Sequence, residues 1–200
     1  MAKKTKPLTK QELLKVFDSY SDAFANWNKD AGTSTYFRTS GPVKQQVWFE
    51  RLRSGGYRPS SGVRILVAPG VAMLHQFLDV RHRQILLSRH EAMRLSVIEG
   101  MMTQFLPHIN QPLNVAEVLR LCEAEATDHI SDICGVAALA AHQGKNELAR
   151  KWCEKAEASM ISLGRKPAEW ELAYHNFVKQ LEIALKSNTE AAFLNTFIED

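Results

Sequence analysis

Arginines bracket a glycine- and serine-rich run in the first half of the chain. Arg51 and Arg53 precede Ser54-Gly55-Gly56-Tyr57-Arg58-Pro59-Ser60-Ser61-Gly62, and Arg64 follows. Guanidinium forks match phosphate oxygens with two parallel N–H bonds. Glycines leave backbone N–H groups unobstructed, serine hydroxyls add donors, and Tyr57 offers a face on which a base can stack. Further along, Arg83 and Arg94 align on one face if their segment is helical, with His90 between them. Arg51, Arg53, Tyr57, Arg58, Arg64, Arg83 and Arg94 are therefore the expected nucleic-acid-binding residues. The plain alternative is a simple loop whose arginines complement a helix dipole.

Other chemistries leave weaker traces. His75, Asp79 and His82 are spaced i, i+4, i+7, so a helix would put three ligand types on one face. Arg81 and Arg83 flank His82, and cations disfavour a metal there, so a solvated polar stripe is the expectation. Cys122, His129, Cys134 and His142 are ligand types without a CxxC pair. No Walker loop, GxGxxG, GxSxG or HExxH motif occurs. No catalytic residue, metal site or cofactor is expected, and the protein reads as non-enzymatic.

Charge is divided along the chain. Residues 1–100 carry 16 Lys/Arg against 8 Asp/Glu, a balance of +8, and residues 101–200 carry 9 against 14, a balance of −5. A basic half suggests an anionic partner, although two opposite halves can also neutralise each other. Three cysteines cannot all pair, which fits buried free thiols in a reducing compartment and a cytoplasmic location. The basic start has no apolar run behind it, so it does not read as a secretory signal. The longest apolar stretch, from Ile65 to Leu74, is broken by Pro69 and Gly70 and is too short to span a bilayer. No membrane partner is expected.

Periodicity supplies the elements that would position these residues. Thr9-Lys-Gln-Glu12 is a capping box, followed by Leu13, Phe17, Tyr20, Phe24 and Trp27 at helical spacing to about Asn28. Pro42 suits a first helical position, with Val43, Val47, Trp48 and Leu52 as a buried stripe. Residues 57–70 read as an extended segment or short hairpin. Residues 71–105 read as one long helix, and residues 107–112 as a linker. Short helices then open at Asn114, Thr127, Asn146, Pro167 and about Asn188, with connections short enough for antiparallel neighbours.

Within that series, Ala137 and Ala140 precede a Gly144 turn, and Ala149, Cys153 and Ala156 follow at matching offsets. Small residues let two helix axes approach closely. Residues 131–163 resemble a single tetratricopeptide-like helical hairpin. Cys153 stands where that motif favours an aromatic, and Pro167 falls late. The resemblance implies an adaptor role through a helical surface.

The expected fold is all-α: a multi-helix bundle with one long central helix and C-terminal antiparallel hairpins. Its expected domains are a basic helical half, 1–106, and an acidic helical-hairpin half, 113–200. The expected function is to bind nucleic acid through the basic half and a protein, or a second copy, through the acidic half. The alternative is a protein adaptor or chaperone with no nucleic-acid contact.

Overall fold

The computed structural model describes residues 7–30, 33–79 and 84–198. It overturns the all-α bundle. The N-terminal half is built on a six-stranded antiparallel sheet, with β1 (Asn28–Asp30), β2 (Thr35–Ser40), β3 (Val43–Arg51), β4 (Gly56–Ile65), β5 (Ala72–Phe77) and β6 (Ile85–Leu86). The strands follow the order β1-β2-β3-β4-β5, and β6 pairs with β4 at Gly56↔Leu86 and Tyr57↔Ile85. Helices α1 (Lys10–Asp18) and α2 (His90–Gln104) flank the sheet in sequence, and α3 (Val115–Glu125), α4 (Ile130–His142), α5 (Asn146–Ser162), α6 (Glu169–Ser187) and α7 (Glu190–Asn195) follow.

Each departure has a local cause. The segment assigned to a second helix is β3, because Val43, Gln45, Val47 and Phe49 are buried at every second residue. That alternation is the strand period, and it outweighs the Val43/Val47 spacing. The expected long central helix is instead β5, β6, a short 3-10 turn and α2. Most of the Gly-Ser run is β4: Ser54 and Gly55 lie in the turn before it, and the extended reading of residues 57–70 matches the strand as far as Ile65. A Cβ on Gly56 would lie 2.7 Å from the Ile85 carbonyl oxygen, so the β4–β6 approach requires glycine there. The first helix stops at Asp18. A 3-10 turn over Ser21–Phe24 continues it closely enough that Phe17, Tyr20 and Phe24 still enter one core.

The chain forms two compact units. The first comprises residues 1–38, 45–62 and 75–113. Its core is aromatic: Phe17 stacks on Tyr36 at 4.2 Å, Tyr36 on Phe24 at 4.3 Å, and Tyr20 on Phe49 at 4.9 Å. Val47, Ile85, Val97, Met101 and Phe105 complete it. Thr9 caps α1 in the expected box, with Glu12 accepting from the Thr9 N–H at 2.7 Å.

The second unit comprises residues 39–44, 63–74 and 114–200. Helix α4 is its centre, with every residue from Ile133 to Ala141 buried. It turns at Gly144 into α5, and Ala137, Ala140, Ala149, Cys153 and Ala156 are all buried between elements of this unit. Asn114 caps α3 by accepting from the Ala116 and Glu117 N–H groups. Thr127 does not cap α4: its hydroxyl binds Asp132, and His129 takes the cap position. Among the described residues, no helix is long and apolar enough to cross a membrane.

Candidate functional site

Strand alternation creates a surface that the helical reading hid. In β3 the side chains of Val47 and Phe49 enter the first unit's core, so Trp48 and Glu50 stand on the opposite face. In β4 Tyr57 is turned inward, and Arg58 and Ser60 share the face of Trp48 and Glu50. In β5 His75 and Phe77 join them, both exposed.

These side chains are mutually fixed. The Trp48 and His75 rings stack with centroids 5.1 Å apart and 28° between planes, and His75 meets Phe77 at 4.6 Å. The Arg58 guanidinium carbon lies 4.0 Å above the Phe77 ring centroid, a cation–π distance. Glu50 is the hub. It accepts from Arg58 Nε at 3.1 Å and also from Arg58 Nη2, from Ser60 Oγ at 3.0 Å, and from Trp48 Nε1 at 3.2 Å. Burial opposes ionisation of this carboxyl, but the hydrogen bonds from Arg58 and Ser60 prevail and hold it below its ordinary value. The result is a pre-ordered aromatic surface whose internal charges cancel.

Several of the expected phosphate-binding residues are engaged within the fold. Arg58 is neutralised by Glu50. Arg94 donates to the Ser19 carbonyl at 2.7 Å and lies 3.6 Å from Asp22. Arg51 is exposed and donates to the Leu8 carbonyl, and Arg53 is exposed in the turn after β3. Arg64 is exposed on β4, in the second unit. Arg83 lies outside the described residues, as do Arg81 and His82. Tyr57 offers no stacking face, because it is completely buried. Among the described residues no helix joins His75 to Asp79, and His75 lies on β5.

Tyr57 belongs to a buried chain of hydrogen bonds. Its hydroxyl lies 2.6 Å from the Tyr20 hydroxyl and 2.8 Å from His90 Nδ1, and His90 Nε2 lies 2.9 Å from Ser19 Oγ. This superficially matches a serine nucleophile beside a histidine base. The proton count excludes it. Ser19 has one hydroxyl proton, and it goes to the Val16 carbonyl at 2.6 Å. His90 Nε2 must therefore donate to Ser19, Nδ1 must accept from Tyr57, and Tyr57 must accept from Tyr20. Burial raises the Tyr20 phenol to about 12, raises Tyr57 further, and lowers His90. All of them stay neutral near pH 7, and the imidazole is a donor to the serine rather than its base.

Among the described residues, no three His, Cys, Asp or Glu side chains are placed to hold a metal. Cys122, Cys134 and Cys153 are all buried, and burial raises each thiol. The residues that sequence reasoning missed are Glu50, Trp48 and Phe77 as surface groups. The signal that could have found them is the two-residue alternation of 45–50 and 72–77. A comparison with known proteins finds no matching family model, curated protein or solved structure.

Proposed function

We propose that the protein is a non-catalytic binding subunit that docks a protein partner on the outer sheet face of its N-terminal unit. The observation that carries this reading is the Trp48–His75–Phe77 array locked by the Arg58–Glu50 pair. Aromatic residues and arginine are the types that dominate protein interfaces, and Phe77 is 38% exposed with no core to fill. A carboxylate at the centre of the face repels phosphate, and its one arginine is already neutralised. Both features favour protein over nucleic acid at this face. Three unpaired buried thiols suit a reducing compartment such as the cytoplasm.

A photo-crosslinking residue in place of Phe77 tests the reading in the native host. We expect one discrete crosslinked protein that survives nuclease treatment and is lost when Trp48→Ala is added. Crosslinks only to nucleic acid, or a product indifferent to Trp48, would overturn it.

The second reading, nucleic-acid binding through Arg51 and Arg53, rests on the +8 balance of the first hundred residues and the exposure of both arginines. Its signature is a mobility shift that weakens steeply with salt, with the slope falling by about 1 per arginine removed.

A further inference from the structure

The first unit holds a second feature, independent of the sheet face. A cleft of about 440 Å³ is walled by Trp27, Met102, Ile109 and Pro112, and Arg38 opens into it. Arg38 leaves β2 beside Gln45, which is fully buried. Its Nε and Nη2 donate to Gln45 Oε1 at 2.9 and 2.7 Å, Nη2 also donates to the His108 carbonyl at 2.7 Å, and Nη1 donates to the Gln111 carbonyl. The guanidinium carbon lies 4.7 Å from the Trp27 ring centroid.

All of these partners are neutral. Among the described residues no carboxylate pairs with Arg38, and burial lowers its pKa with no charged neighbour involved. The one acid lining the cleft, Asp22, sits 3.6 Å from Arg94, which offsets its charge. An arginine carries five N–H donors, and four of them are used here, so one Nη1–H remains. A partly buried charge without a counter-ion is costly, and the groups that hold it in place fix its orientation without cancelling it.

We infer that this cleft binds a monoanionic carboxylate whose apolar substituent lies along Trp27 and Met102. One remaining N–H serves one carboxylate oxygen. A dianion such as a phosphate monoester would need more than one cation, and among the described residues lining the cleft Arg38 is the only one. The carboxylate can come from a free organic acid or from the C-terminus of a peptide ending in an apolar residue. Both sources share this chemistry.

The test is titration of the full chain, followed through the Trp27 indole N–H by NMR, the signal being assigned by its absence in Trp27→Phe. The probes are phenylacetate, phenylacetamide, phenyl phosphate, and a short peptide ending in phenylalanine with a free or an amidated C-terminus. Phenylacetate or the free-acid peptide should shift the signal, and whichever binds tighter names the source. The amides should bind at least about tenfold more weakly, because they lose the charge-assisted bond. Met102→Trp fills the cleft from its apolar wall and should abolish binding in a variant that still unfolds cooperatively. Arg38→Lys keeps the charge but loses the fork, and it should weaken phenylacetate without unfolding the chain. Equal binding of acid and amide, tighter binding of phenyl phosphate, or no response to any probe at millimolar concentration would each overturn the inference.

Discussion

The Tyr57 hydroxyl stands 2.8 Å from His90 Nδ1, and because Ser19 spends its only proton on the Val16 carbonyl, that contact fixes the imidazole as a neutral ring protonated on Nε2. Both ends of the ring are therefore used inside the fold, and a second proton, on Nδ1, would force the Tyr57 hydroxyl to reverse its hydrogen bonds.

This gives the first prediction. Burial lowers the folded His90 pKa below its ordinary 6.5; Glu91, 3.8 Å away, opposes this in part, and Arg94 adds a smaller lowering. As pH falls through 6.5 the unfolded chain takes up a proton that the folded chain refuses, so stability must fall. The fall ends once the pH passes below the folded value. The urea midpoint should drop between pH 7 and pH 5.5, and the drop should shrink in His90→Gln. His142 shifts in the same direction, so only the difference between the two proteins reports on His90. Parallel pH profiles would refute the proton assignment.

Gly135 sits in α4 where a Cβ would come within 2.7 Å of Val71 Cγ1 and 2.8 Å of Met73 Sδ. Gly135→Ala gains about 1 kcal/mol of helix propensity. It also overpacks the second unit by about 1–3 kcal/mol, and since the Val71 methyl cannot swing away, the loss should prevail. The variant should melt at lower temperature, and Val71→Ala should recover part of the loss in the double variant. Independent, additive effects would show that the two residues do not press on each other.

Ala149 is fully buried on α5. Ala149→Leu should lower stability by about 1–3 kcal/mol, because no space exists for the added atoms. An unchanged denaturation midpoint would place this face in solvent.

Glu50 carries hydrogen bonds from Arg58, Ser60 and Trp48. Glu50→Ala should cost about 1–2 kcal/mol, the lower part of the range for charged hydrogen bonds, because the pair is about a quarter exposed. The same carboxyl is held below its ordinary pKa, so its contribution is present above that value and lost as pH falls through the folded one. Phe77→Ala should leave stability nearly unchanged while removing the docking face. Equal stability losses in Glu50→Ala and Phe77→Ala would make Phe77 a packing residue.

Burial raises the Cys122 and Cys153 thiols to about 12 and holds Cys134 well above its ordinary value too. Thiolate is the reactive form, so a thiol reagent should label the native protein only as fast as it unfolds. Rapid labelling in buffer at pH 8 would contradict the buried placement.

The amino-acid sequence by itself determined the local devices. The Thr9–Glu12 box, the Asn114 cap, the Gly144 turn and the buried alanines of 137–156 rest on contacts within a few residues or on small side chains that allow close approach. Such features need nothing distant to be read. What only the tertiary structure decided is the sheet and everything mounted on it. Val43 and Val47 fit a helical stripe as well as a strand face, and a strand is stabilised only by partners elsewhere in the chain. Arg58 looked like a free cation in a loop because Glu50, eight residues away, faces it only once β3 and β4 pair. Arg38 stands without a counter-ion for the mirror-image reason: its acceptors, the carbonyls of His108 and Gln111, lie about seventy residues away and bring no charge with them. Whether a charge is free or cancelled depends on which groups the fold brings within hydrogen-bonding reach, and for these arginines that neighbourhood is made by strand pairing and long-range packing.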